Sequence, residues 1–155
     1  MENKTVTMAH GAGGKQTSEL IDQVFKAHFA NSDLTADDAA VLVPPAGRMA
    51  VSTDGFIVSP AFFPGGNIGK LSICGTVNDL ACMGAKPLYL TCAFVIEEGF
   101  PMEKLEEIAA SDRVHGKNLQ APISFGISCS RNRFRHGLIS GDTTVRMTGT
   151  GGINR

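Results

Sequence analysis

Residues 65–85 read GGNIGKLSICGTVNDLACMGA. A glycine turn leads into Gly69-Lys70, and a long apolar stretch follows with Asn78 and Asp79 inside it. The turn invites comparison with a phosphate loop of the form G-x-x-x-x-G-K-[ST], which follows a strand. Pro64 stands where that pattern needs its first glycine, and Leu71 stands where it needs Ser or Thr, so both ends fail. Asn67 instead suits a helix N-cap, and Ile68, Leu71, Ile73, Cys74, Val77, Leu80, Ala81 and Met83 put apolar residues nearly all round a helix over 68–83. A buried helix is expected. Asp79 within it is costly unless paired, hydrogen-bonded or bound to a metal. The competing reading is an Asp that caps a neighbouring turn. Lys70 opposes the helix macrodipole, which a bound anion offsets; otherwise it is an exposed helix-end lysine.

On the N-terminal side, residues 4–9 alternate weakly and read as an edge strand, which Gly11–Gly14 break. Leu20, Ile21, Val24, Phe25 and Phe29 mark one face of an amphipathic helix over 16–29. The β-rich runs AVLVP (40–44) and RMAVSTDGFIVS (48–59) flank PPAG, which reads as a hairpin turn. On the C-terminal side, KPLYLTCAFVIEEG (86–99) is apolar almost throughout, as in a central strand. PMEKLEEIAAS (101–111) opens a helix with Pro at its first turn and acids behind it. After Ser111 the pattern loosens into a basic stretch with Arg113, Arg131, Arg133 and Arg135, and the closing GLISGDTTVRMTGTGGINR suits strands. This order predicts an α+β domain with a mixed sheet and flanking helices.

Three acidic sites share one context. Asp37 and Asp38 precede an apolar run, Asp54 lies in AVSTDGFIV with Gly55 behind it, and Asp79 sits in the apolar helix. Each alone is commonly a turn residue. Converging, such carboxylates make an oxygen-only site for Mg²⁺, which takes few carboxylates plus phosphate oxygens. A nucleoside triphosphate is then the natural partner, and HGAGG (10–14) offers backbone N–H groups and a mobile lid over its phosphates. His10 either contacts phosphate there or is an ordinary loop histidine.

Other chemistries find less support. The net charge of −1 supplies no general attraction for nucleic acid or anionic membrane, and the few aromatics show no stacking pattern. No run of 18 apolar residues is present, and the N-terminus lacks the apolar core of a secretory signal. Cys74, Cys82, Cys92 and Cys129 follow no metal-ligand spacing and read as buried free thiols of a cytoplasmic protein. The arginines at 131–135 read as a solvated loop.

The stretches HGAGG, DDAA (37–40), STDGF (52–56) and SPAFFPGGNIGKLSICGTVNDLACMGAKPLYLTCAFVIEEGFP (59–101) together resemble the N-terminal domain of the HypE family of hydrogenase maturation factors, which are carbamoyl dehydratases. That family belongs with AIR synthetase, selenophosphate synthetase and thiamine-phosphate kinase. The resemblance implies an AIR-synthetase-like N-terminal domain over 1–111 that dimerises through a β-barrel, with ATP and Mg²⁺ in the cleft of a homodimer. Metal-binding carboxylates then fall on Asp37, Asp38, Asp54, Asp79 and, where its motif is retained, Asp142. His10, Gly11, Gly13, Gly14, Lys70 and Asn78 become the nucleotide contacts. The implied activity is ATP-dependent dehydration of a thiocarboxamide on a C-terminal cysteine to thiocyanate, the source of the cyanide on the iron of [NiFe] hydrogenase. Implied partners are the carbamoyltransferase HypF and the HypC–HypD complex.

Two departures qualify that picture. No C-terminal domain or terminal cysteine follows, so the chain is expected to be catalytically incomplete. The family's GDTK is expected soon after Ser111, where this chain has Gly126-Ile127-Ser128; a GDT occurs only at 141–143, with Thr144 in place of lysine. Either an insertion moved the motif, or residues 112–155 are an atypical continuation of the domain such as a frameshift leaves; the abrupt loss of pattern favours the second. The rivals to the HypE reading are another AIR-synthetase-type enzyme and a non-enzymatic dimerisation or docking module. Selenophosphate synthetase is disfavoured because the N-terminal loop has no cysteine.

Overall fold

The computed structural model describes residues 4–31, 41, 47–118, 123–130 and 139–148. The elements are helix α1 (Lys15–Leu20), a π-helical turn (Ile21–Phe25), α2 (Lys26–Phe29), β1 (Arg48–Ile57), β2 (Phe62–Phe63), β3 (Gly66–Asn67), α3 (Ile68–Cys82), β4 (Tyr89–Glu97), α4 (Met102–Asn118), β5 (Ile123–Ser130) and β6 (Ile139–Thr148). Four strands form one mixed sheet in the order β1-β6-β4-β5, with β6 antiparallel to both neighbours and β4 parallel to β5. The expected α+β class and mixed sheet are therefore present. The apolar run read as a central strand lies inside the sheet as β4.

The sheet has one covered face. Along β4 the alternate residues Leu90, Cys92, Phe94 and Ile96 are buried, and they meet Phe25 and Phe29 from the N-terminal helix and Leu105 and Ile108 from α4. Phe94 packs on Phe25 with ring centroids 4.9 Å apart. Lys15–Phe29 is one continuous helical run, as the apolar spacing predicts, but its middle turn is widened to π geometry. That extra residue per turn brings Leu20 and Phe25 onto one face, with Val24 and Phe29 completing the buried set.

Residues 4–9 do not make a strand. Thr5 forms a single bridge to Pro101, and a 3₁₀ turn follows over Met8–Gly11. The Thr7 N–H donates to His10 Nδ1 at 2.9 Å, and this pulls the chain into the turn. The strand expected over 40–44 falls almost wholly outside the described residues, as does the PPAG hairpin turn apart from Gly47.

Helix α3 begins as its sequence dictates: the Asn67 side chain caps it by accepting from the Lys70 N–H at 3.0 Å. The expectation of burial all round fails. Ser72, Ile73, Thr76 and Leu80 are buried, but Cys74, Asn78, Asp79, Ala81 and Cys82 are exposed. The sheet and α4 cover one side, and no described residue covers the other. Two thiols read as buried, Cys74 and Cys82, are thus at the surface, while Cys92 is buried.

Helices α3 and α4 touch backbone to side chain. A Cβ on Gly69 would stand 2.6 Å from the Ile108 carbonyl oxygen and 2.9 Å from Asp112 Oδ1. Ser72 Oγ lies 2.8 Å from Gly69 O and 3.2 Å from Asp112 Oδ1, so the buried Asp112 carboxylate is held across the contact. Helix α4 thus runs on past Ser111, where the sequence pattern loosens. Gly69→Ala wedges the two helices apart and should cost about 1–3 kcal/mol in chemical denaturation, as overpacking does. Phe94→Ala, which empties the aromatic centre of the core, should cost about 3–5 kcal/mol in the same measurement.

Candidate functional site

Strand β1 turns every second residue toward α3. Ala50, Ser52, Asp54 and Phe56 are half-buried, while their neighbours are exposed. Phe56 reaches α3 at Gly75, where a Cβ would stand 2.5 Å from its Cζ. One helical turn beyond Gly75 is Asp79, and there the two elements exchange polar contacts. The Ser52 hydroxyl donates to Asp79 Oδ2 at 3.2 Å. Asp54 shares a side-chain hydrogen bond with Asp79. Its carboxyl is held above the ordinary aspartate value by partial desolvation, then by the charge of Asp79 and by that hydrogen bond.

Two apposed carboxyl groups with a hydroxyl beside them form an oxygen-donor set that could hold a cation. A hard divalent ion fits such a set, because it relieves the repulsion between the acids and completes its shell with water and phosphate oxygens. Among the described residues no group of three His, Cys, Asp or Glu side chains gathers as a metal site. The pair is therefore a partial site within the described part of the chain. Asp142 is the Cα partner of Asp54 across the β1–β6 ladder, so the backbone brings a third aspartate to this position. Asp37 and Asp38 lie outside the described residues.

The structure brings Asp54 and Asp79 together from positions 25 residues apart and aligns Asp142 with them. Asn78 is exposed beside Asp79 on α3. The other sequence-predicted residues lie elsewhere. Lys70 is nine residues before Asp79, about 13 Å of helix. Its Nζ donates to Gly65 O at 2.9 Å, so it closes the turn between β2 and β3. The glycine loop is anchored at the far end of β4: Met8 N–H donates to Glu98 Oε1 at 3.4 Å and Val6 N–H to Phe100 O at 2.8 Å. Asp142 is in register with Cys92 on β4, six residues before Glu98, which is about 20 Å of strand. Gly13 has φ +79, Gly14 opens α1, and both have open space where a side chain would stand, while Gly11 ends the 3₁₀ turn. His10 spends Nδ1 on its own turn.

Sequence reading missed Ser52. The signal was present: Ser52 and Asp54 are two apart in a strand, so one face carries both. A cavity of about 410 Å³, lined in part by Phe62, Glu97, Phe100 and Lys104, contains none of the predicted site residues.

The model of the AIR synthase related protein N-terminal domain matches residues 36–153, a span that includes Asp37, Asp38, Asp54, Asp79 and Asp142. A carbamoyl dehydratase HypE of Rhizobium leguminosarum bv. viciae is 47% identical over 125 residues, which are 80% of this chain and 36% of that protein. A crystal structure of the hydrogenase maturation protein HypE in complex with ATP superposes with a TM-score of 0.88 at 36% identity, over 94% of this chain and 44% of the other. A HypE–HypF complex contains a chain 41% identical that superposes with a TM-score of 0.63, over 85% of this chain and 43% of the other. The chain thus spans about a third to under a half of the relatives it matches. With the match running through β1, α3, β4 and β6, this chain belongs to the AIR synthase related protein family, and residues 36–153 form that family's N-terminal domain.

Proposed function

We propose that this chain is the nucleotide-binding part of a HypE-type carbamoyl dehydratase, with ATP·Mg²⁺ held at Asp54 and Asp79. The observation that carries the reading is the apposition of the two carboxyl groups, flanked by Ser52 and aligned through Asp54 with Asp142. The likeness to a HypE crystallised with ATP supports the nucleotide, and the likeness to HypE dehydratases supports the reaction.

In that reaction ATP phosphorylates the oxygen of an S-bound carboxamide, turning a poor leaving group into phosphate. Loss of the amide protons and of that phosphate leaves S-bound thiocyanate, with ADP as the other product. The metal, when bound, offsets charge on the transferring phosphoryl group. Asp54 and Asp79 would hold the cation, Ser52 fixes the Asp79 carboxylate, and Asp37, Asp38 and Asp142 would add to the set. The N-terminal glycines and His10 close over the phosphates, and Asn78 and Lys70 are the remaining nucleotide contacts. Within one chain the loop lies too far along β4 for that closure, so it needs either movement of the loop or the loop of a second copy.

A second copy fits the uncovered sheet face. On β1 the outward residues Met49, Val51 and Ile57 are 56%, 52% and 64% exposed, and Ala93 of β4 is exposed on the same sheet. An apolar β-face of this kind is stabilised by another sheet, which makes the barrel-forming homodimer the reading of best fit. HypF is the proposed partner on the strength of the HypE–HypF complex. The HypC–HypD complex, as acceptor of the cyanide, follows from the proposed reaction, and so does a cytoplasmic location.

Calorimetry of ATP with and without Mg²⁺ tests the centre of the proposal. Asp79→Asn should weaken Mg²⁺-dependent ATP binding at least about tenfold. Equal heats for the original and substituted chains would transfer the case to a docking module that binds no nucleotide.

The acid pair also sets a pH dependence. Because the folded Asp54 value is raised, its proton stabilises the fold below the ordinary aspartate value, and that contribution is lost as pH rises through the raised value. At neutral pH without metal, Asp54→Asn should therefore raise the melting temperature, and the gain should shrink toward pH 4. Mg²⁺ should stabilise the original chain at neutral pH and leave the substituted one nearly unchanged in the same thermal scans.

Val51→Glu on the open face should convert dimer to monomer in sedimentation velocity while leaving the circular dichroism spectrum intact. A dimer that survives Met49→Glu and Val51→Glu together assembles through some other surface.

A further inference from the structure

The N-terminal helical run packs on α4, and it carries a histidine that the proposed chemistry does not use. His28 lies in α2, half-buried, beside the Phe25–Phe29–Phe94 cluster. Its Nδ1 is buried and has no hydrogen-bond partner among the described residues. Two charged side chains of α4 act on it, Arg113 and Glu106. On its own helix the nearest charge, Lys26, is paired with Asp22 at 2.7 Å. Strand β5, which also packs on α2, carries Cys129 as its one ionisable residue.

We propose that His28 is an acid-sensitive latch: neutral, it lets α2 dock on α4; protonated, it loosens that contact. Protonation turns the buried Nδ1 into an N–H donor without an acceptor among the described residues and sets a second cation against Arg113. Glu106 offsets part of that repulsion. Burial, then Arg113, hold the imidazole below the ordinary histidine value, while Glu106 pulls the other way. With the folded value depressed, the docking contribution is present above the ordinary value of about 6.5 and is lost as pH falls through it. Its loss frees the segment that carries Phe29, whose ring otherwise covers Phe94.

Amide hydrogen exchange of residues 26–30, read by NMR in the whole chain, tests the latch. The rate for the original chain divided by that for His28→Gln cancels the intrinsic pH dependence of exchange. That ratio should be near one at pH 8 and should rise to about threefold or more by about pH 5.5, with the amides of β4 unaffected. Arg113→Gln keeps the imidazole and removes the opposing cation. It should reduce the acid rise and move the imidazole titration, followed by its ring protons, upward. A rate ratio that stays flat with pH, or a His28 that titrates at or above the ordinary value, overturns the proposal. Should His28→Gln fail to fold, the comparison of Arg113→Gln with the original chain decides the matter by the same two readouts.

Discussion

The ring of Phe56 lies where a side chain at position 75 would be, so β1 and α3 approach each other only because that position is glycine. The rest of the candidate site follows from this contact. Asp79 comes one helical turn after Gly75, and Asp54 and Ser52 come two and four residues before Phe56 on the same strand face. The Asp79–Asp54 apposition is a consequence of packing, and it works against the fold. Asp79 stands near the C-terminal end of α3, where the macrodipole already disfavours an anion. A second carboxylate beside it raises the cost. A position that breaks two local rules without a compensating cation among the described residues is the signature of a site whose partner is a ligand.

The same geometry gives the sheet two different faces. β4 alternates strictly between residues buried under the helices and residues on the other side, and β1 alternates between α3 and open surface. All the helices gather on one face because each connection between described strands that carries a helix returns to that side. The apolar residues left on the outer face of β1 are then uncovered by any described residue. A domain of this size does not ordinarily expose Met49, Val51 and Ile57 along one strand without something to set against them.

How much of this was legible before the structure depended on the range of the interaction. The N-cap at Asn67, the extent of α3, the strand at 48–57 and the helix after Pro101 are decided by neighbours within a few residues, and each was readable. The widened turn at Ile21–Phe25 was not, because its cause is the match of Leu20 and Phe25 to the core. Burial of α3 was overestimated for a related reason. Apolar residues all round a helix say that it could be covered everywhere, and only the topology says that one side has no cover among the described residues. Acidic residues flanked by apolar ones marked Asp54 and Asp79 individually, yet their meeting rests on a packing contact between Phe56 and Gly75 that no local pattern records. Lys70 stays ambiguous at the level of sequence, because a lysine after glycine at a helix start serves a bound anion or a turn carbonyl; its partner among the described residues is Gly65 O.

The antiparallel pairing of β6 with β1 carries the strongest link between the C-terminal part of the chain and the site. A strand inserted between β1 and β4 is set in register by both neighbours, and here both registers agree in placing Asp142 across from Asp54 and Cys92. A shift of one residue would turn every side chain of β6 to the opposite face and would set Gly141 or Thr143 across from Asp54. Asp142 lies in the GDT that the sequence displaces far beyond Ser111. A displaced motif that nevertheless pairs with the strand of Asp54 at its acidic residue is compatible with an insertion before the motif, since added residues lengthen the connection and leave the ladder unchanged.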